Sequence, residues 1–401
     1  MKQSHHCIMG AGLQGALLAL KLAERGADVT LIERADAPLT GASRFNEGKV
    51  HLGYIFVKDD VRRTARRMIE GAVSFLDELS PFLPQRDIEQ NLSDPLLYKV
   101  PADSLMPPEA LAAQYDAMDD MISDALMQGT ANYLGQRRLP RVRRLPDPDR
   151  ETGLIAEFQT AEQAIDPDFL CDHLTAALLH PPRIELVTQT TVMALHRQDN
   201  RPPNVVTAQH GLLGPFDSVT NCTWDSLLHL DGTLGHRPRL PHLHRLKLAN
   251  TVTLPSDIPA PETVTLVLGP YGDVVRYRSN RVFYSWYPTG CIDRSEALAP
   301  PQSWRDMAPE RNRQLALDAL AQLDPFVGGL APLRASDLPA RSNARVIFSW
   351  GTGDVDQPDS LLHERFRIGP RLLEPGYLSI DTGKLTTAPL FAAQALEMLV
   401  A

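Results

Sequence analysis

Cys7-Ile8-Met9-Gly10-Ala11-Gly12-Leu13-Gln14-Gly15-Ala16-Leu17-Leu18 is the stretch that decides the fold class. Cys7-Ile8-Met9 is a short apolar run suited to a buried strand. From Ala16 to Arg25, Leu17, Leu18, Leu20, Leu22 and Ala23 give a broad apolar helical face. Gly26-Ala27-Asp28 stops that helix. Val29-Thr30-Leu31-Ile32 is then a second β-branched buried strand, and Glu33 closes it. Strand, glycine turn, helix, strand and acidic residue follow in the order of a dinucleotide-binding βαβ unit. Gly10 permits the tight turn out of the strand. Gly12 lets backbone N–H groups approach a pyrophosphate, and Gly15 lets the helix lie close on the strand. The helix start at Leu13 and Gln14 offers free N–H donors and partial positive charge to phosphate. Glu33, followed by Arg34, can accept hydrogen bonds from ribose hydroxyls, and its charge would repel a 2′-phosphate, which argues against NADP.

The bulk composition narrows the class further. The chain has 401 residues, enough for two domains and a real core. Forty basic residues stand against 49 acidic ones, for a net charge of -9 without a basic block, so nucleic acid is not an expected partner. The four cysteines, Cys7, Cys171, Cys222 and Cys291, form no C-x-x-C pair. No metal site or dithiol chemistry is therefore expected, and the thiols read as reduced in a cytoplasmic protein. No apolar run reaches the ~18–20 residues of a membrane span. The first apolar run leads straight into the glycine motif and belongs to the fold, not to a signal peptide.

The fingerprint alone does not separate FAD from NAD. Three further stretches do, and with them the chain resembles the D-amino-acid oxidase superfamily of flavoproteins, which includes glycine oxidase, sarcosine oxidase and glycerol-3-phosphate dehydrogenase. The first runs from Gly41 to Tyr54 and resembles the family segment that passes the pyrophosphate and then the flavin ring. Ser43, Arg44, Asn46, Gly48 and Lys49 are its candidate cofactor contacts. In the second, Val192 stands in a strand read from Ile184 to Leu195, where the family contacts adenine. Phe216 to Trp224 resembles the family's strand ending in Asn-Ala-Thr-Gly, with Thr223 as a candidate contact. Cys222 and Trp224 replace the alanine and glycine of that pattern. The third stretch, Gly383-Lys384-Leu385-Thr386-Thr387, resembles the Gly-Gly-Lys-hydrophobic-Thr-Thr motif of glycerol-3-phosphate dehydrogenases, with Thr382 in place of the first glycine. A helix start there would aim donors at the flavin N1/O2 edge, which gains negative charge on reduction.

The resemblance implies an α/β chain: an FAD-binding Rossmann-like domain with an inserted α+β substrate domain built on an antiparallel sheet. The FAD domain would be discontinuous, over 1–75, 150–235 and 340–401. The inserts 76–149 and 236–339 would form the substrate domain. The first insert reads as helical, especially Leu105 to Leu134. The second carries strand-like runs at Thr263 to Leu268, Asp273 to Tyr277 and Arg281 to Trp286, the last two joined by a turn at Arg278-Ser279-Asn280.

A second G-x-G-x-x-G is missing, as is a redox C-x-x-C, so the simplest chemistry is hydride transfer from a bound substrate to flavin N5. The electron acceptor is left open. Substrates in the resembling families are small and mostly anionic or zwitterionic, and an arginine commonly clamps the anion. Arg276 and Arg365 are the leading candidates, with Arg278 and Arg345 behind them. His51, in the flavin-lining segment, is the candidate acid/base. Tyr54, Tyr284, Trp286 and Tyr287 are site or core aromatics, and Cys291 is the one loop cysteine placed for covalent flavin attachment. The leading expectation is oxidation of a C–N bond in a small amine or amino acid. The alternatives are a 2-hydroxy-acid or polyol-phosphate dehydrogenase, and a flavin-binding protein without turnover.

Overall fold

His5–Met9 forms the inner strand from which the architecture is built in the computed structural model, which describes residues 4–148, 152–199, 201–305, 309–335, 338 and 340–400. It belongs to a six-stranded sheet with the order Gly369–Glu374, Tyr377–Asp381, Ser218–Asn221, His5–Met9, Asp28–Ile32, Ile184–Val187. All neighbours are parallel except the hairpin of the first two. The inner strands are buried at nearly every position because both sheet faces are covered. Ile8, Val29 and Leu31 join a core shared with the helices Leu13–Glu24, Arg63–Leu79, Pro167–Leu179 and Ala388–Val400. Cys7, Met9, Ile32 and Val219 face the other way, onto a three-stranded antiparallel sheet of Val192–Gln198, Arg201–Thr207 and Gly211–Leu213.

The sequence reading of one strand from Ile184 to Leu195 needs correction. Ile184–Val187 pairs with Asp28–Ile32, but Val192–Gln198 lies in the three-stranded sheet. Between them Gln189 takes a left-handed φ of 52°. The N–H groups of Gln189 and Thr190 bond to the carbonyls of Ala35 and Glu33, which carries the chain over the end of the neighbouring strand. Thr188-Gln189-Thr190-Thr191 holds no glycine or proline, so nothing local announced the break.

The second layer is a nine-stranded sheet. Its order is Cys291–Ser295, His242–Thr253, Arg281–Trp286, Gly272–Arg276, Val264–Leu266, Leu97–Pro101, Leu154–Gln159, Arg143–Arg144, with Arg341–Trp350 alongside His242–Thr253. Val264–Leu266 runs parallel to Leu97–Pro101, and the other pairings are antiparallel. Residues 76–149 are thus more than helical. They hold the helix Pro108–Leu126 and also contribute Leu97–Pro101 and Arg143–Arg144 to this sheet. Val274, Val282 and Tyr284 pack under the helix Pro309–Leu323 on one face. Val275, Tyr277 and Phe283 alternate onto the opposite face, toward Phe45. The expected boundaries at 149/150 and 339, and the ends at 1 and 401, lie outside the described residues.

Candidate functional site

A cavity of about 480 Å3 runs along the C-terminal ends of the parallel strands, where open α/β sheets bind ligands, and it meets the inner face of the antiparallel sheet. At one end stands the glycine turn. Gly10 has φ +92°, and a Cβ on Gly15 would come 2.0 Å from the Gly10 carbonyl oxygen, so the helix lies directly on the turn. Glu33 accepts hydrogen bonds from the N–H groups of Ala11 and Ala35, both at 2.9 Å, which holds its carboxylate at the strand end. Gly10, Gly12, Leu13, Gln14, Glu33 and Arg34 all line the cavity. Gly15 lies beneath it as a packing residue. Arg34 makes two bonds to the Asp225 carboxylate, at 3.0 and 2.7 Å.

The segment from Ser43 to His51 turns along the cavity wall. Ser43 Oγ accepts from the Leu13 N–H at 2.8 Å. Asn46 braces its own loop by donating to the Ala42 and Ser43 carbonyls and accepting from the Gly48 N–H. Ser43, Asn46 and Lys49 line the cavity. Arg44 and Gly48 do not: Arg44 is held by Asp168 and Asp172, and Gly48 has φ +65° where a Cβ would meet the Ile165 carbonyl at 2.0 Å. Lys49 reaches Thr265 Oγ at 2.6 Å and is ion-paired with Asp273, which opposes the effect of burial and holds its ammonium above the usual lysine range.

His51 lines the cavity and is 3% exposed. Its Nδ1 lies 3.2 Å from Oε1 of Glu162, and its Nε2 lies 3.9 Å from Oε1 of Glu47. Glu162 is fully buried. It also accepts from Tyr98 Oη at 2.7 Å and from the Leu52 N–H at 2.7 Å. Burial alone would raise the Glu162 carboxyl, but His51, Lys49 and Tyr98 hold it below the usual carboxylate range. A carboxylate facing Nδ1 favours the proton there and leaves the Nε2 lone pair available. Nothing in the local sequence marks Glu162. It is brought to His51 by the pairing of Lys49–Val50 with Gln163–Ala164.

The C-terminal turn closes the same wall. Gly383, Lys384 and Leu385 line the cavity, while Thr386 lies just behind, accepting from the His51 N–H at 2.9 Å and donating to the Lys49 carbonyl at 3.0 Å. Asp381 takes the Trp350 indole N–H at 2.8 Å and the Gly383 N–H at 3.1 Å, and burial pushes its carboxyl up to about 6. Lys384 lies 3.7 Å from Glu47, and burial draws its ammonium below the usual lysine range. Val192 and Thr223 also line the cavity, Thr223 directly beside the Gly10 turn. Trp224 keeps the left-handed backbone that a glycine would adopt, with φ 58°. A left-handed conformation costs an ordinary side chain roughly 1–2 kcal/mol. Here the Trp224 indole donates to the Val346 carbonyl at 2.8 Å and stands edge-on to Phe348, which offsets that cost.

The arginine candidates separate. Arg365 lines the cavity, is 9% exposed, and donates to the Phe348 carbonyl at 3.2 Å. Burial and then neighbouring Arg245 push its guanidinium down to about 9. Arg345 also lines the cavity, its guanidinium 4.7 Å from the Phe45 ring centroid. Arg276 is not brought there and is corrected as a site residue: it points to Asp94 at 3.4 Å, and Arg278 turns to Glu89 and Asp94. Arg276 shares the strand face of Val274, not of Val275, so the alternation aims it away from the cavity. Tyr54, Tyr284, Trp286 and Tyr287 are buried outside the lining, and so is Cys291. Lys247 lines the cavity without having been foreseen. The alternation of Arg245, Lys247 and Ala249 with Leu246 and Leu248 was the signal for it.

The family model for FAD dependent oxidoreductases (DAO) matches residues 5–366. The chain belongs to that family. It is an FAD-dependent oxidase or dehydrogenase, and FAD is its cofactor. Iminodiacetate oxidase from Chelativorans sp. BNC1 superposes with a TM-score of 0.66 at 17% identity, over 98% of this chain and 95% of that one. Glycine oxidase from Geobacillus kaustophilus gives 0.65 at 14% identity, over 99% and 95%. L-alpha-glycerophosphate oxidase from Mycoplasma pneumoniae gives 0.63 at 15% identity, over 100% and 96%. No curated protein matches in sequence. The cavity fits the cofactor on its own chemistry. Gln14 Nε2 is buried at the helix start without a hydrogen-bond partner among the described residues, and Gly12 offers only its backbone there. A phosphate or flavin oxygen satisfies such a donor. Among the described residues no helix is long and apolar enough to cross a membrane, and no cluster of His, Cys, Asp or Glu could hold a metal ion.

Proposed function

We propose that this enzyme oxidises a small anionic substrate at a carbon bearing a hydroxyl group, a 2-hydroxy acid or a polyol phosphate. The observation that carries the proposal is the buried His51–Glu162 pair on the cavity wall. Hydroxyl oxidation requires a base for the O–H proton, and a histidine oriented through Nδ1 offers Nε2 for that step. FAD supplies hydride acceptance at N5. Arg365 clamps the substrate anion, and Lys384 stands at the flavin edge that gains charge. Gly10, Gly12, Leu13, Gln14 and Ser43 hold the pyrophosphate, Glu33 the ribose, and Val192 and Thr223 the adenosine end. The nine-stranded, mostly antiparallel sheet serves as the base of the substrate domain, which takes 76–149 and 236–339 together with the strands Leu154–Gln159 and Arg341–Trp350. The buried free thiols suit the cytoplasm.

The leading sequence expectation, C–N oxidation, stands as the second reading. Its support is that iminodiacetate oxidase and glycine oxidase share the fold. The lining charge weighs against it: six Lys and Arg side chains, Lys247, Arg345, Arg365 and Lys384 among them, face three carboxylates, Glu33, Glu47 and Asp225. Anaerobic addition of hydroxy acids, polyol phosphates, amino acids and N-methyl amines to the holoenzyme tests the choice. Bleaching of the flavin by a hydroxy compound, abolished in His51→Ala, is the expected result. Bleaching by amines alone would refute the hydroxyl assignment.

A further inference from the structure

Two buried guanidinium groups, Arg365 on the cavity wall and Arg245 behind it, make no direct ion pair among the described residues. Arg365 is 9% exposed and Arg245 is 4% exposed, and among the described residues neither has a carboxylate within ion-pair distance. Among the described residues, the Arg365 side chain bonds only the Phe348 carbonyl. Arg245 donates to Tyr287 Oη at 3.0 Å and Ser349 Oγ at 3.3 Å, and its Nε has no partner among the described residues. The acids that act on the pair are already engaged elsewhere: Asp354, on the Arg245 side, by Arg294 and the Tyr287 hydroxyl, and Asp381, on the Arg365 side, by the Trp350 indole and the Gly383 N–H. Lys247 stands two residues from Arg245, on the same strand face, and lines the cavity, again without an ion-pair partner among the described residues. Elsewhere along this wall the lysines are matched: Lys49 with Asp273 and Lys384 with Glu47.

Buried charge without a partner is strongly disfavoured unless a ligand supplies one. Resting on the hydroxyl-oxidation reading of this same cavity, we infer that the substrate brings two negative charges to Arg365, Arg245 and Lys247: it is a dianion, either a dicarboxylate or a phosphomonoester, and a monocarboxylate leaves the subsite half-matched. Arg245, hidden behind the cavity lining, is then a determinant of substrate charge. Burial and the proximity of Arg245 already press on the Arg365 guanidinium, as its lowered proton affinity records. A second anionic charge relieves both.

The test uses the oxidised holoenzyme and unreactive anions, so it is independent of turnover. Acetate, malonate and inorganic phosphate are titrated at pH 8 and constant ionic strength, with the flavin absorption spectrum as readout. Malonate or phosphate is expected to bind at least about tenfold tighter than acetate, the increment of one charge-assisted contact. Tight malonate assigns a dicarboxylate and tight phosphate a phosphomonoester. In Arg245→Gln the preference falls to within about twofold, and Arg245→Lys restores part of it. Flavin content and a thermal melt check that each variant is folded, and the wild-type comparison decides even if the Gln variant does not fold. Equal affinity for all three anions, no binding of any, or an undiminished preference in a folded Arg245→Gln enzyme would overturn the inference. Failure of the hydroxyl reading is seen separately, as bleaching by amines alone.

Discussion

Glu162→Gln removes one charge from a fully buried site while keeping its shape. The carboxylate accepts three hydrogen bonds: from Tyr98 and His51 at Oε1, and from the Leu52 N–H at Oε2. An amide has one acceptor oxygen. If that oxygen stays toward Tyr98 and His51, the new NH2 faces the Leu52 N–H, donor against donor. Leaving such a buried group unsatisfied costs about 1–3 kcal/mol, and losing the charge from the other bonds adds roughly 1 kcal/mol. A loss of about 2–4 kcal/mol in stability is therefore expected, measured by denaturant unfolding of the holoenzyme. The kinetic effect is larger. Without an anion at Nδ1 the imidazole is no longer held in the form that presents Nε2, and general-base assistance is worth about 10²–10⁴-fold. The rate of anaerobic flavin reduction should fall about 10²-fold, with substrate KM nearly unchanged because Glu162 does not reach the cavity lining. A His51→Ala/Glu162→Gln double variant should be scarcely slower than His51→Ala, since the two act as one unit. Retention of the reduction rate within about threefold in folded Glu162→Gln enzyme would refute the role given to the pair.

Glu33→Gln should weaken FAD binding about tenfold or more, because a charge-assisted acceptor is lost at the ribose and one amide hydrogen opposes the Ala11 or Ala35 N–H; fluorescence titration of apoprotein with FAD measures it. Asp381 has a folded pKa raised from 3.8 to about 6, so the native apoprotein binds the extra proton between these values and its stability falls as pH rises through that window. The drop is worth roughly 3 kcal/mol, and Asp381→Asn should remove that slope in unfolding free energies taken across pH 4 to 7. Glu162 gives the opposite sign: with its folded pKa lowered, its contribution is complete above the ordinary value and is lost as pH falls below it. Arg276→Ala should leave kcat and KM within about twofold, since the side chain meets Asp94 and not the cavity; a large loss would return it to the site.

The nucleotide-binding half was legible in the sequence because its chemistry is local. Gly10, Gly12, Gly15 and Glu33 lie within one βαβ unit, and each follows from a backbone turn, a close approach or a charge at a strand end. The segments around Ser43 and Gly383 could be placed on the cavity wall by motif, although Arg44, Gly48 and Thr386 turned out to support the wall and not to line it. The break at Gln189 was invisible because four polar, β-tolerant residues carry it.

What only the tertiary structure decided is which charges meet. Glu162 reaches His51 through the pairing of strands more than a hundred residues apart. Arg276 and Lys247 are both basic residues on alternating strands, and the sheet turns one toward Asp94 and the other into the cavity. Period-two alternation says that a side chain lies on one face or the other, but which face is inside depends on what packs there: the helix Pro309–Leu323 covers one, and the cofactor wall meets the other. The sequence by itself determined the dinucleotide turn and, with its motifs, the flavin. The counter-charges that decide the substrate were left to long-range packing, because an ion pair depends on distance in space and leaves no spacing in the chain.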